Sequence, residues 1–144
     1  MCTQGPIWTG LVLDGVEVTV SVFVVEDSKN MQSALVELLE VLGGFEVLAA
    51  VGTETEATDW LYRNRGKWKL ATLDLLIDEG SGFNLIRRCK ESPDAGRVVV
   101  LSDYVTPVVK TRCLELGADA VFTKSEIKEF SEYVSSLKDP GLNP

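Results

Sequence analysis

The stretch Leu70-Ala-Thr-Leu-Asp74, followed by Leu-Leu-Ile-Asp-Glu-Gly-Ser-Gly-Phe83, constrains this chain most. A short apolar run bounded by turn residues is the pattern of a buried strand. Ending that strand on Asp74 puts a carboxylate at the carboxyl edge of a sheet, where open α/β folds place their sites. Taken alone, Asp74 reads more readily as a turn or cap residue. Two other stretches change that balance. Val22-Phe-Val-Val-Glu-Asp27 is an apolar run ending in paired carboxylates. Val98-Val-Val-Leu-Ser102 ends in a hydroxyl, and Val121-Phe-Thr-Lys124 later ends in a lysine.

Between these runs lie segments of helical period. From Lys29 to Leu42, Met31, Leu35, Leu38, Leu39 and Leu42 fall on one face, with Ser28 as cap and Gly43-Gly44 as stop. Phe45 to Val51 reads as a strand, and Gly52-Thr53 opens a helix of about a dozen residues bearing Ala57, Trp60 and Leu61. Phe83, Leu85, Ile86 and Cys89 suit a helix with Arg87, Arg88 and Lys90 outward. Ser92 to Gly96 is a loop, and Arg97 to Leu101 has the pattern of a buried strand. Thr106 and Pro107 start a helix that ends at Gly117. Ala118 to Thr123 is the last strand, and a helix from Ser125-Glu126 carries Ile127, Phe130, Tyr133, Val134 and Leu137. Strand and helix alternate five times, which gives a doubly wound α/β fold with a parallel sheet covered on both faces.

The ends are read separately. Leu11-Val-Leu, Asp14-Gly15 and Val16 to Val22 resemble two strand pieces about a turn, the second running on into Val22–Val25. Residues 1–19 are therefore an N-terminal extension. An added edge hairpin, a dimer contact and a disordered leader all stay open. Residues 20–138 form the domain, and the Pro- and Gly-bearing residues 139–144 form a tail.

Composition narrows the chemistry. The net charge of −8 argues against a nucleic-acid surface, which needs clustered cations. With no histidine in the chain, His-based base, nucleophile and metal chemistry is excluded. Three widely spaced cysteines show no metal or redox spacing and suit a reducing cytoplasm. No apolar run reaches membrane-spanning length, and Met1–Gly10 has no signal-peptide pattern.

In a parallel sheet, Glu26, Asp27, Asp74, Ser102 and Lys124 share one edge. Clustered carboxylates repel one another, and a hard divalent cation such as Mg2+ relieves the repulsion. A lysine and a hydroxyl beside them suit an anionic oxygen. The set fits phosphoryl transfer to a carboxylate, a chemistry of positioning and charge neutralisation. An FMN carrier would need a glycine- and hydroxyl-rich loop where Glu26 and Asp27 stand. An aspartyl-phosphate phosphohydrolase would need a second Asp where Leu76 stands.

From about Val20 to Lys138 the chain resembles a response-regulator receiver domain of two-component signalling, like the chemotaxis regulators. The acidic pair, the Asp74 to Gly82 spacing, Ser102, Lys124 and Gly117-Ala-Asp119 carry the likeness. The resemblance implies a flavodoxin-like strand order of 2-1-3-4-5. It implies that Asp74 is the phosphoacceptor. Asp27, Asp74 and the Leu76 carbonyl would hold Mg2+, with Glu26 acting through water. Lys124 and Ser102 would bind phosphoryl oxygens. Its partners would be a histidine kinase or phosphotransfer protein and a downstream protein target, with a homodimer left open. It implies no enzyme beyond self-phosphorylation and dephosphorylation.

The chain departs from the family pattern at four places. Asp78 replaces a common proline, Asp103 a small residue, and Ser125 a proline. Val121 stands where the aromatic switch belongs, with Phe122 one place late. Tyr104 falls where the family tunes water access. These departures keep a second reading open, that of a pseudo-receiver that binds partners without being phosphorylated.

Overall fold

The computed structural model describes residues 11–13 and 16–138. The elements in chain order are β1 (Leu11–Leu13), β2 (Val16–Val18), β3 (Val20–Val25), α1 (Lys29–Leu42), β4 (Phe45–Val51), α2 (Glu54–Arg63) and β5 (Leu70–Leu73). Then follow α3 (Gly82–Cys89), β6 (Arg97–Ser102), α4 (Pro107–Leu116), β7 (Ala120–Thr123) and α5 (Ile127–Ser136). Strands β3 to β7 form one parallel sheet in the order β4-β3-β5-β6-β7. This is the doubly wound order 2-1-3-4-5 expected above.

The two faces of the sheet are closed by different helices. Phe23, Val25, Ala71, Leu73, Val98, Val100 and Val121 point to the side covered by α2, α3 and α4, where Leu61, Leu85, Ile86 and Cys113 meet them. Val22, Val24, Leu70, Val99 and Leu101 point to α1 and α5, which supply Leu35, Leu39, Phe130 and Val134. Strand β5 is buried along all four residues because it lies at the centre of the sheet, under helices on both sides. Its carboxyl end therefore delivers Asp74 to a crevice between elements.

Local signals place the helices. Ser28 caps α1 by accepting from the Met31 amide (3.2 Å). Thr53 accepts from Glu56 N at 3.1 Å and Thr106 from Val109 N at 3.1 Å, with Pro107 at the first turn of α4. Gly117 ends α4 in the left-handed region, at φ 116°.

Two expectations need correction. The run from Val16 is not one strand. Strand β2 pairs antiparallel with β1 in a separate two-stranded sheet, and β3 begins after Thr19 in the main sheet. Strand β3 is flanked on both sides by β4 and β5, so it offers the hairpin no free edge. The Asp14-Gly15 turn, the leader 1–10 and the tail 139–144 lie outside the described residues. Lys90, expected to face outward, is half-buried. Its Nζ lies 2.7 Å from Asp119 Oδ2 and donates to the Gly96 carbonyl (3.0 Å). Asp119 also accepts from the Val98 amide (2.8 Å), so this pair closes the amino edge of the sheet beneath β6 and β7.

Gly82 fixes how closely α3 approaches the sheet. A Cβ there would meet the carbonyl oxygen of Asp74 and the Cα of Leu75. Gly82→Ala is expected to cost about 2–3 kcal/mol through overpacking against backbone. A urea unfolding curve, read at its midpoint, checks this; an unchanged midpoint would mean that α3 can shift freely.

Candidate functional site

Four strands deliver the site. Strand β3 ends just before Glu26 and Asp27, β5 just before Asp74, β6 at Ser102 and β7 just before Lys124. Asp74 is buried, at 5% exposure, yet it is fully partnered. Its Oδ1 accepts from Ser102 Oγ (2.8 Å) and from the Leu76 amide (3.1 Å), and its Oδ2 accepts from Lys124 Nζ (2.9 Å). The same ammonium lies 2.8 Å from Glu26 Oε1. Glu26 Oε2 in turn accepts from the Ser28 amide at 3.0 Å.

One ammonium thus serves two buried carboxylates, and they respond differently. Burial alone pushes Asp74 up, but the Lys124 ammonium, the Ser102 hydroxyl and the Leu76 amide outweigh it and hold the carboxyl below its usual range. Burial dominates at Glu26. Lys124 and the Ser28 amide do not cancel it, the neighbouring Asp74 adds to it, and Glu26 sits above its usual range. Lys124 is pulled down by burial and raised more strongly by Glu26 and Asp74, so it stays charged.

Carboxylate oxygens of Glu26, Asp27 and Asp74 all lie within 4.8 Å of one another, with Asp27 exposed at the mouth. An all-oxygen donor set of this charge fits a hard divalent cation. Of the remaining residues singled out from the sequence, Asp103 stands on the rim, its Oδ2 4.0 Å from Lys124 Nζ. The amide of Tyr104 donates to Ser102 Oγ (3.4 Å), while its side chain is exposed. Leu76 and Asp78 are exposed on the loop between β5 and α3.

Val121 is buried on the α2–α4 face of the sheet. Phe122 points to the opposite face because side chains alternate along a strand. There it packs edge-on against Phe130 (6.1 Å) and beside Tyr133 (5.9 Å). A shift of one position therefore moves the aromatic from the α2–α4 face to the α1–α5 face of the sheet.

Sequence reasoning missed two groups. Gln32 is buried in α1, and its Nε2 donates to the Glu26 carbonyl, bracing the acidic pair. The signal was available, since Gln32, Leu35 and Leu39 share one helical face. The other is Glu54 at the start of α2, whose carboxylate accepts from the Ser81 amide across the site's loop (2.8 Å).

The response regulator receiver domain family model matches residues 22–135, and the chain belongs to that family. A gliding motility regulatory protein of Myxococcus xanthus is 31% identical over 108 residues, covering 74% of this chain and 13% of that protein. The chain therefore spans a small fraction of that relative. The signal receiver domain of a DNA-binding response regulator from Colwellia psychrerythraea 34H superposes with a TM-score of 0.72 at 24% identity, covering 82% of this chain and 97% of that one. A response regulator protein from Burkholderia pseudomallei, solved with a phosphorylated aspartic acid, calcium ion and citrate, has a TM-score of 0.65 at 24% identity. That match covers 87% of this chain and 75% of the other. Among the described residues no helix is long and apolar enough to cross a membrane.

Removing Lys124 leaves Glu26 and Asp74 buried, adjacent and without a cation. Lys124→Ala in metal-free buffer is expected to lose about 3 kcal/mol at pH 7, the usual cost of breaking a buried pair. The depressed pKa of Asp74 contributes stability that is present above its ordinary 3.8 and lost as pH falls through its folded value. The raised pKa of Lys124 contributes stability that is present below its ordinary 10.5 and lost as pH rises through its folded value. The wild type should therefore hold its stability between these limits, apart from the gain that the raised Glu26 brings as pH falls toward its folded value. The variant should regain more stability than the wild type on acidification from pH 7 to pH 5, as one of the two unpaired carboxyls takes up a proton. Urea midpoints at both pH values decide it.

Proposed function

We propose that this chain is the phosphoacceptor receiver of a two-component His–Asp relay, with Asp74 taking the phosphoryl group. The observation that carries the reading is a buried aspartate at a strand end, hydrogen-bonded by Lys124 and Ser102 beside two further carboxylates. An Asp74 carboxylate oxygen attacks phosphorus. An acyl P–O bond forms, and the P–N bond of a phosphohistidine, or the P–O bond of an acyl phosphate, breaks. The leaving imidazole or carboxylate keeps the electron pair. Lys124, already charged, and the Ser102 hydroxyl turn from Asp74 to the phosphoryl oxygens. The Asp74 oxygens are fixed before the phosphodonor arrives, so little reorganisation accompanies attack.

Asp27, Asp74 and the Leu76 carbonyl would hold Mg2+, with Glu26 acting through water. When bound, the ion offsets the clustered negative charge around the transferring group. The phosphorylated aspartic acid and calcium ion of the Burkholderia protein support this reading. The chain acts on no outside substrate. Its partners are a histidine kinase or phosphotransfer protein and a downstream protein target, and it works in the cytoplasm. A second reading, the unphosphorylated pseudo-receiver, draws on Asp103 at the rim and on Phe122 packed against Phe130 in place of an aromatic at Val121.

Intact mass after incubation with Mg2+ and acetyl phosphate tests both. One phosphoryl group on the wild type and none on Asp74→Asn supports the receiver. No adduct, together with no Mg2+ binding by calorimetry, supports the pseudo-receiver.

A further inference from the structure

The loop between β5 and α3 carries two things that the site depends on, Asp74 at its start and Leu76 just after it. It is tied to the first turn of α2 at several points. Thr53 and Glu79 form a parallel bridge, and the Glu54 amide donates to the Glu79 carbonyl (2.8 Å). The Thr55 hydroxyl donates to Glu79 Oε1 (3.1 Å). Glu54 then reaches back with its carboxylate. Its Oε1 accepts from the Ser81 amide (2.8 Å) and its Oε2 from the Asn84 side-chain amide (3.4 Å). Gly80 lies beneath it at φ 100°, where a Cβ would run into the Glu54 side chain. At its far end the loop is pinned again, since the Gly82 amide donates to the Leu75 carbonyl (3.2 Å).

We infer that Glu54 is a positioning residue for the phosphoacceptor loop, holding residues 76–81 so that Asp74 and Leu76 keep their places. This rests on the phosphoacceptor reading above. A first-turn glutamate is ordinarily explained by the helix dipole. The dipole explains the charge but not the placement, because it needs no partner 27 residues away. A charge-assisted bond to a main-chain amide is among the stronger hydrogen bonds of a fold. It also orients the peptide it grips, here the N-terminal cap of α3. The loop has Asp78 in place of a stiffening proline, so its shape depends on such side-chain ties.

Three variants of the full chain test this: Glu54→Ala, Glu54→Gln and Asp74→Asn. Hydrogen exchange over residues 76–82 and phosphoryl uptake from acetyl phosphate by mass are the two readouts. In Glu54→Ala, loop exchange is expected to quicken about tenfold, the loss of one charge-assisted bond. Phosphoryl uptake is expected to slow in proportion to the fraction of molecules whose loop is displaced. Exchange in β3 and β6 should stay unchanged, which separates the effect from general destabilisation. Glu54→Gln keeps an acceptor without the charge and should restore most of both. Unchanged loop exchange in Glu54→Ala would overturn the inference, and so would faster exchange with unchanged uptake. A wild type that takes up no phosphoryl group sinks the phosphoacceptor reading, while the exchange arm still decides whether Glu54 holds the loop.

Discussion

The site turns on one ammonium group. Lys124 lies under 3 Å from both Glu26 and Asp74, and without it two buried carboxylates would face each other in a low-dielectric crevice. Because the ammonium is fixed, it sorts the two acids. Asp74 has two further donors and stays ionised, whereas Glu26 has one and is the acid that burial pushes upward. The more readily ionised carboxylate is thus the one that also meets the hydroxyl. That division of labour is set by hydrogen-bond count, since both groups are buried to a similar degree.

The frame around the lysine follows from topology. With β5 at the centre of a parallel sheet, its strand end is flanked by the ends of β3 and β6, and β7 brings Lys124 from one strand further out. Four short apolar runs, each with its polar residue at the same end, need only correct strand order to converge. The close seat of α3 at Gly82 and the brace from Gln32 then limit how far the edge can relax.

Much of this was legible in the sequence because it is local. Helix periods, the caps at Ser28 and Thr106, and the stops at Gly43 and Gly117 each lie within a few residues of what they control. The strand-end residues were legible for the same reason, and strand alternation then assembled them. What escaped was polar and long-range. The Lys90–Asp119 pair spans 29 positions in the chain, and the Glu54–Ser81 bond spans 27. In both cases the local pattern shows an ordinary solvated charge. The break between β2 and β3 was hidden because apolar alternation continues across Thr19, although the pairing partners change there.

Helix α2 has a second attachment beyond its first turn. Trp60 stacks on Phe23 with ring centroids 4.1 Å apart and planes within 8° of parallel. Phe23 belongs to β3, three residues before the acidic pair. The helix is therefore a strut with one foot on the phosphoacceptor loop and the other on the strand that delivers Glu26 and Asp27. An indole at that second foot is a built-in optical gauge. Strain passing between loop and strand would register in its fluorescence without any label.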